Sequence, residues 1–189
     1  MKETKTNFLR LAIDSNVLQF GEFRLKSGRK SPYFFNAGLF NTGRAIAQLG
    51  RHYADTIVSS NIEFDMLFGP AYKGITLASA TASALSDKYD IDKPFAFNRK
   101  ESKAHGEGGC VVGANLKGKV LIIDDVITAG TAVREAYKLI ISENASVAGL
   151  IISMDRQERG KSRNSAISEL EQELCSPVIS IANLEDLIF

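Results

Sequence analysis

The sequence predicts an α/β fold in which a mostly parallel central sheet is flanked by helices. Continuously apolar segments such as 120–123 and 147–153 are typical of strands that are buried on both faces of a sheet. These segments alternate with amphipathic segments of helical period, and that alternation is typical of doubly wound sheets. Since 189 residues suit one well-packed core, we expect a single domain over residues 1–189.

The first residues, to about 40, differ from the rest and predict a small N-terminal hood. Apolar residues recur there at helical spacing, namely Phe8, Leu9, Ala12, Ile13 and Leu18. Residues 20–40 then change to strand-like runs that are broken by Gly28 and Pro32. We therefore expect a helix followed by a hairpin.

Beyond the hood, one helix-and-strand unit repeats along the chain. We predict helices from Gly43 to about Ile57, then over 74–88, 131–142 and 165–174, with a last short helix at the end. We predict strands over 65–69, 95–98, 120–123, 147–153 and 178–181. The interval 99–117 has four glycines and no sustained period, which predicts a long loop, either a functional lid or a disordered segment.

The overall charge and the cysteines exclude several classes of protein. Formal net charge is +1, from 23 basic and 22 acidic residues, so no global field would attract nucleic acid or an anionic membrane. Cys110 and Cys175 form no C-x-x-C pair and have no histidine cluster nearby, which argues for free thiols. No signal peptide or membrane span is apparent, and we expect a cytoplasmic location.

The segment 120–132, VLIIDDVITAGTA, has the features of a phosphate cradle. An apolar strand leads into Asp124 and Asp125, then into a glycine turn, and then into a helix. Free backbone N–H groups and the positive end of the helix dipole suit a phosphate, and Gly130 allows a close approach. The two carboxylates suit ribose hydroxyls or waters around Mg²⁺. The alternative is that Asp124 or Asp125 is a strand-end or helix-capping residue.

A strand followed by two acidic residues and T-A-G-T resembles the phosphoribosyl diphosphate signature of the type I phosphoribosyltransferases. Nearly the whole chain is similar to the bacterial orotate phosphoribosyltransferase family. Besides the cradle, the similar segments are FGEFRLKSGRKSPYFFNAG, FGPAYKGI, FNRKESKAHGEGG and ISMDRQERG.

The resemblance implies transfer of ribose 5-phosphate from 5-phospho-α-D-ribose 1-diphosphate to N1 of orotate, a step of UMP synthesis. It also implies Mg²⁺ as cofactor without a direct protein ligand, and a homodimer with shared sites. Lys103 would be the principal catalytic residue and His105 would assist it, on a lid formed by 99–117. Contacts to phosphoribosyl diphosphate would come from Lys26, Tyr72, Lys73, Arg99, Lys100, Lys103, His105, Asp124, Asp125, Val126, Ile127, Thr128, Ala129, Gly130, Thr131 and Ala132. Contacts to orotate would come from Phe34, Phe35, Thr128 and Arg156.

Each of these residues also has a purely structural interpretation. Tyr72 and Lys73 fit the first turn of a helix with a solvated lysine, Lys26 fits a hairpin, and the basic run after residue 98 fits a solvated loop. Arg156 fits a surface arginine after its strand. Of Phe34 and Phe35, we expect at least one ring to pack in the core, and we expect His52 to be a polar or interface residue on its helix.

Two other functions remain open at this point. One is a phosphoribosyltransferase that takes a purine or uracil in place of orotate. The other is a noncatalytic sensor that binds a phosphoribosyl ligand and regulates transcription or RNA. The near-neutral charge and the lack of an added DNA-binding segment count against the sensor.

Overall fold

The computed structural model of the chain describes residues 2–24, 28, 30–103, 109–128, 130–160 and 164–187. Within these ranges the α-helices are α1 (Lys2–Asp14), α2 (Gly43–Ser60), α3 (Lys73–Tyr89), α4 (Thr131–Ser142) and α5 (Ala166–Leu174). The strands are β1 (Leu18–Arg24), β2 (Lys30–Phe35), β3 (Met66–Gly69), β4 (Phe95–Lys103), β5 (Gly109–Gly113), β6 (Lys119–Val126), β7 (Ser146–Asp155) and β8 (Val178–Asn183). Short 3-10 helices cover Ala37–Leu39 and Leu184–Leu187.

The central sheet has the strand order β5-β4-β3-β6-β7-β8. All neighbouring pairs are parallel except β4 and β5, which form an antiparallel edge. The predicted α/β fold with a mostly parallel sheet is therefore confirmed. In the described part of the chain, every helix is too short or too polar to cross a membrane.

Apolar side chains fill both faces of this sheet, because successive strand residues point to opposite sides. Leu121 and Ile123 of β6 join one cluster with residues of α1, α2 and α3. Val120 and Ile122 join a second cluster with residues of α4 and α5. The continuous apolar run in β6 is thus explained by burial on both faces.

The hood consists of α1 and a two-stranded antiparallel sheet of β1 and β2. Phe8 and Ala12 of α1 are buried, as the helical spacing predicted, but Ile13 is half exposed. Leu18 is buried as the first residue of β1 and pairs with Phe35, so its assignment to the helical face was wrong. The helix ends before it, and Asn16 adopts a positive φ of 56° that redirects the chain.

The described parts of the interval 99–117 contain more strand than the sequence predicted. β4 continues to Lys103, and β5 returns antiparallel to it, with Ala96 opposite Gly113 and Phe97 opposite Val112. The prediction of a long loop from residue 99 was therefore wrong for this paired ribbon. The reason is that the ribbon lies at the sheet edge, where polar and glycine residues are tolerated and the apolar period is weak.

The sheet reverses its winding direction between β3 and β6. From β3 the chain passes through α3 to β4 on one side, and from β6 it passes through α4 to β7 on the other side. Ligands of such open sheets bind in the crevice at the carboxyl ends of the strands at this switch point. The cradle segment lies at that edge.

Candidate active site

Asp124 and Asp125 are buried at the end of β6, and their backbone is held from both sides. The hydroxyl of Tyr53 donates to the carbonyl of Asp124 at 2.7 Å, and that of Ser153 donates to the carbonyl of Asp125 at 2.6 Å. The N–H of Asp125 donates to Oδ1 of Asp124 at 2.9 Å. Neither aspartate caps α4, because the N-cap residue is Gly130. The helix-capping alternative is therefore wrong.

The two carboxylates carry less negative charge than their number suggests. Burial, together with repulsion from Asp125, raises the pKa of Asp124 from 3.8 to about 7. Lys73 and the N–H of Asp125 oppose this rise. Near neutral pH, Asp124 is therefore only partly ionised, so its carboxyl group can either donate or accept a hydrogen bond.

Lys73 connects the two strands that flank the switch point. Its Nζ lies 2.6 Å from Oδ2 of Asp125 and donates a hydrogen bond to it, although half of the lysine side chain remains exposed. Lys73 is the first residue of α3, as the structural alternative required, but it is not simply solvated. Tyr72 precedes it with 72% of its surface exposed. Both residues therefore border the crevice beside the carboxylates.

The turn between β3 and α3 is closely packed. A Cβ atom at Gly69 would lie 2.0 Å from the carbonyl oxygen of Gly74, so only glycine fits at this position. The side chain of Asn98 on β4 accepts a hydrogen bond from the N–H of Ala71 at 2.8 Å. The backbone that precedes Lys73 therefore packs against α3 and is hydrogen-bonded to β4.

The turn that precedes α4 follows β6 at the same edge of the sheet. Ile127 is buried and anchors one side of the turn, while Thr128 is exposed. Gly130 adopts a left-handed conformation with φ of 68° and has no side chain to cap the helix. The first N–H groups of a helix lack intrahelical acceptors, so those at Thr131 and Ala132 suit an anion.

Beside this edge lies an open cavity of about 390 Å³. Its lining includes Lys73, Thr76 and Leu77 of α3 together with Thr42 and Ile46 near the start of α2. The cavity shares Lys73 with the site but contains no residue of the cradle turn.

Arg156 follows β7 and is buried, so the surface alternative is wrong. Its Nη2 lies 3.0 Å from Oε1 of Glu158, and its guanidinium lies 5.5 Å from the centre of the Tyr33 ring. Its Nε is buried and has no hydrogen-bond partner among the described residues. Burial raises the pKa of Tyr33, and the adjacent Arg156 opposes that rise. A buried cation with a free donor is suited to an anionic partner.

The two adjacent phenylalanines of β2 face different surroundings. Phe35 is buried, with its ring centre 6.5 Å from that of Phe8, which confirms that one ring packs in the core. Phe34 is partly exposed and stacks on Phe23 at 5.5 Å. Of the two, Phe34 has ring surface available to a ligand.

The basic residues near the ribbon are only partly described. Nζ of Lys100 lies 3.7 Å from Oε2 of Glu135 on α4. Arg99 is half-buried. Lys26, His105, Ala129 and the side chain of Lys103 lie outside the described residues. Within the described ranges, no group of three histidine, cysteine or acidic side chains is arranged to hold a metal ion.

A family model of the phosphoribosyl transferase domain matches residues 38–181. Orotate phosphoribosyltransferases of Salmonella agona and Vibrio cholerae are 60% and 59% identical to this chain over 188 residues, which is 100% of this chain and 88% of each relative. The crystal structure of orotate phosphoribosyltransferase from Francisella tularensis matches with a TM-score of 0.87 and 50% identity, over 96% of this chain and 87% of that one.

The chain belongs to the orotate phosphoribosyltransferase family. The predicted resemblance and the predicted enzyme class are confirmed, because the identity extends over the full chain rather than over the cradle alone. This chain of the orotate phosphoribosyltransferase family is therefore a transferase of pyrimidine biosynthesis. The alternatives of a noncatalytic sensor and of a purine or uracil enzyme are not supported.

Several residues that position this orotate phosphoribosyltransferase site were not identified from the sequence. Tyr53 of α2, Ser153, Asn98 and Glu158 were not singled out as candidate site residues. Tyr33 lies in the same hood segment as Phe34, but nothing in its spacing indicated a contact with Arg156. Glu158 lies only two positions from Arg156, but the other contacts join residues that are far apart in sequence, so no local pattern could predict them.

Proposed function

We propose that the crevice between β3, β6 and β7 catalyses transfer of ribose 5-phosphate from 5-phospho-α-D-ribose 1-diphosphate to N1 of orotate. One observation carries this proposal. A buried carboxylate pair of which Asp125 is bound by Lys73, a helix that follows a left-handed glycine, and a buried arginine all lie beyond the carboxyl ends of neighbouring parallel strands. Each suits a different part of the two substrates.

The donor would lie along the cradle. The N–H groups and hydroxyls of Thr128 to Ala132 suit the 5-phosphate, with Val126 and Ile127 supporting the turn. Asp124 and Asp125 suit the vicinal ribose hydroxyls as hydrogen-bond acceptors. The diphosphate would meet basic and polar residues around the crevice, namely Lys26, Tyr72, Lys73, Arg99, Lys100, Lys103 and His105.

During transfer, the bond from C1 of ribose to the diphosphate oxygen breaks and its electron pair leaves with the diphosphate. The N1 lone pair of orotate forms the new bond to C1, and the proton released from N1 passes to the departing diphosphate. Positive charge grows on the ribose ring and negative charge grows on the leaving group. Lys103 would stabilise the leaving group and His105 would assist it, while closure of the 99–117 lid would exclude water.

The environment of the carboxylate pair favours a Mg²⁺ ion whose ligands are mainly substrate oxygens and water molecules rather than Asp124 and Asp125 themselves. Asp125 is already bound by Lys73, and Asp124 holds a proton for part of the time near neutral pH, so little free charge remains for direct ligation. The two residues would instead orient metal-bound water. Mg²⁺ bound in this way would supply charge neutralisation for the departing diphosphate.

The acceptor would lie between the hood and the end of β7. Arg156 has a buried Nε with no partner in the described ranges, and a planar guanidinium can bind the orotate carboxylate through two hydrogen bonds. Phe34 offers ring surface, Phe35 offers backbone groups, and the exposed Thr128 offers a hydroxyl from the cradle. The carboxylate contact would separate orotate from uracil, which lacks that group.

An assay of orotate consumption tests the acceptor and the metal. Loss of orotate absorbance should require both phosphoribosyl diphosphate and Mg²⁺, and uracil, adenine and guanine should not be consumed. Consumption of one of those bases without consumption of orotate would overturn the acceptor assignment.

The variant Lys103→Ala tests the lid assignment. It should lower kcat far more than it weakens donor binding, because the lysine acts on charge that develops in the transition state. An unchanged kcat would remove Lys103 from this role.

We further propose a homodimer in which Lys26 and the lid of one subunit serve the neighbouring site. Mixing Lys103→Ala chains with Arg156→Ala chains should restore part of the activity if sites are shared. No recovery after confirmed subunit exchange would argue against sharing.

We also propose one domain over 1–189 with residues up to about 40 as the hood. A cytoplasmic location is supported by Cys110 and Cys175, which are both unpaired and exposed.

A further inference from the structure

The turn of the phosphate cradle is contacted at Gly130 by Arg134, in the first turn of α4. A Cβ atom placed on Gly130 would lie 3.0 Å from Nη1 of Arg134 and 3.5 Å from its Cζ. The guanidinium therefore lies directly against the backbone of Gly130. The N–H of Arg134 also donates to the carbonyl of Gly130 at 3.0 Å, which joins the same two residues through the backbone.

Glu173 on α5 holds this guanidinium in place. Nε of Arg134 donates to Oε2 of Glu173 at 2.5 Å, and Nη2 donates to Oε1 at 2.9 Å. Two parallel hydrogen bonds between these planar groups restrict the orientation of the guanidinium. Glu173 is itself well anchored, because its neighbours Leu170 and Leu174 are buried in the second cluster of the core.

The charge of Arg134 is already compensated by this pairing. Two of its three guanidinium nitrogens donate to Glu173, and Glu169 lies near enough to act on it electrostatically as well. A phosphate at the N-terminus of α4 would therefore meet a neutral pair rather than an isolated cation. Arg134 is better suited to support the turn than to bind the anion.

We propose that Arg134, held by Glu173, is a positioning residue that pre-orders the 5-phosphate turn at Gly130. This inference rests on the proposed function of the cradle. A glycine in the left-handed region has more conformational freedom than other residues, so an unsupported turn would have to be ordered when the donor binds. The guanidinium restricts that freedom before binding, and the donor then binds more tightly.

Binding of ribose 5-phosphate, measured by isothermal titration calorimetry, tests the inference without requiring turnover. Arg134→Ala should weaken binding by about tenfold, the effect expected when one backbone residue must be ordered on binding. In steady-state assays KM for the donor should rise similarly, while KM for orotate at saturating donor should stay unchanged. Lys138→Ala, which removes an exposed cation one turn farther along α4, is the matched control and should behave as the wild type.

Two further variants separate support of the turn from attraction of the phosphate. Arg134→Lys keeps the charge but loses the paired hydrogen bonds, so it should resemble Arg134→Ala. Glu173→Gln releases the positive charge of Arg134 but loosens its position, so it should also weaken binding. Tighter binding by Glu173→Gln, or wild-type binding by Arg134→Lys, would overturn the positioning role.

The same titration distinguishes this inference from the proposed function. If the wild type binds ribose 5-phosphate and all three variants bind it equally well, only the role of Arg134 is overturned. If the wild type does not bind ribose 5-phosphate, the proposed cradle fails and the inference fails with it.

Discussion

At the scale of single residues, the site contains charges that are buried at a cost to the fold. Asp124 lies in a pocket that disfavours its ionised form, and Arg156 retains a buried donor with no partner in the described ranges. Such groups are retained when a ligand completes their interactions, and they cluster at functional sites. Burial of these groups should therefore lower the free energy of unfolding of the ligand-free protein by a measurable amount.

Replacement of Asp124 by asparagine should stabilise the free protein at high pH. The pKa of Asp124 is raised from 3.8 to about 7 on folding, so its stabilising contribution is present below about 4 and is lost as the pH rises through about 7. Asparagine does not ionise. Free energies of unfolding in urea should thus favour Asp124→Asn over the wild type at pH 8, and the difference should shrink toward pH 5.

The exposed Asp92→Asn controls for the loss of one carboxylate. An advantage of Asp124→Asn that stayed constant from pH 5 to pH 8 would contradict the raised pKa.

Replacement of Arg156 by lysine should raise KM for orotate by roughly ten- to a hundredfold, because a charge is kept but the paired hydrogen bonds are lost. KM for phosphoribosyl diphosphate should change little. Tyr33→Phe should have a smaller effect in the same direction, since the ring beneath the guanidinium remains. Equal changes in both KM values for Arg156→Lys would show that the arginine acts on the whole site rather than on the acceptor.

At the scale of elements, the site depends on how closely a strand end and the next helix approach each other. β3 and α3 meet at Gly69 and Gly74, where any larger side chain would overlap the facing backbone. The edge ribbon is held less firmly. The ion pair of Lys100 with Glu135 is half exposed and contributes at most about 1 kcal/mol, so it would not prevent lid closure.

Replacement of Gly69 by alanine should destabilise the protein by about 1–3 kcal/mol or more, because the new methyl group would meet the carbonyl of Gly74. Donor binding should weaken as well, since Tyr72 and Lys73 follow this turn. Gly43→Ala is the matched control, because no heavy atom lies within 4 Å of its Cβ position and it occupies the first residue of α2. Urea unfolding checks both, and equal stability of the two variants would contradict the close approach.

At the scale of the whole molecule, the central sheet joins the two apolar clusters. Alternate residues of β6 point into opposite clusters, so neither layer of helices can detach without exposing the strand. The hood is tied to the same structure through Phe8, whose ring contacts His52 of α2 edge-on at 5.7 Å. His52 is thus a packing residue between α1 and α2.

If the chain is a single domain, core variants on either face should lower the stability of one common transition. Leu49→Ala on the α2 face and Leu170→Ala on the α5 face should each cost about 2–5 kcal/mol, since both side chains are fully buried. The chain has no tryptophan, so far-ultraviolet circular dichroism and tyrosine fluorescence are suitable probes. Two separate transitions, or probes that fail to coincide, would contradict the single-domain prediction.

The local pattern of apolar and polar residues was sufficient to predict much of the fold and the position of the carboxylate pair. The helix predicted over 131–142 is α4 with the same bounds, and β3, β6, β7, β8 and the carboxylate pair lie where the apolar runs indicated. On this helix Ile140 is buried, whereas Ile141 is half exposed. Hydrophobic period and helix-start chemistry are properties of neighbouring residues, so they can be read from the chain directly.

Other features depend on contacts between distant parts of the chain. The bond from Lys73 to Asp125 and the packing of Arg156 against Tyr33 join segments that are far apart in sequence and share no local signal. The order of amino acids thus specified the α/β class, the cradle and the family. Folding specified which charges are buried and which partners they meet, because burial and electrostatic environment are set by the approach of distant segments rather than by sequence neighbours.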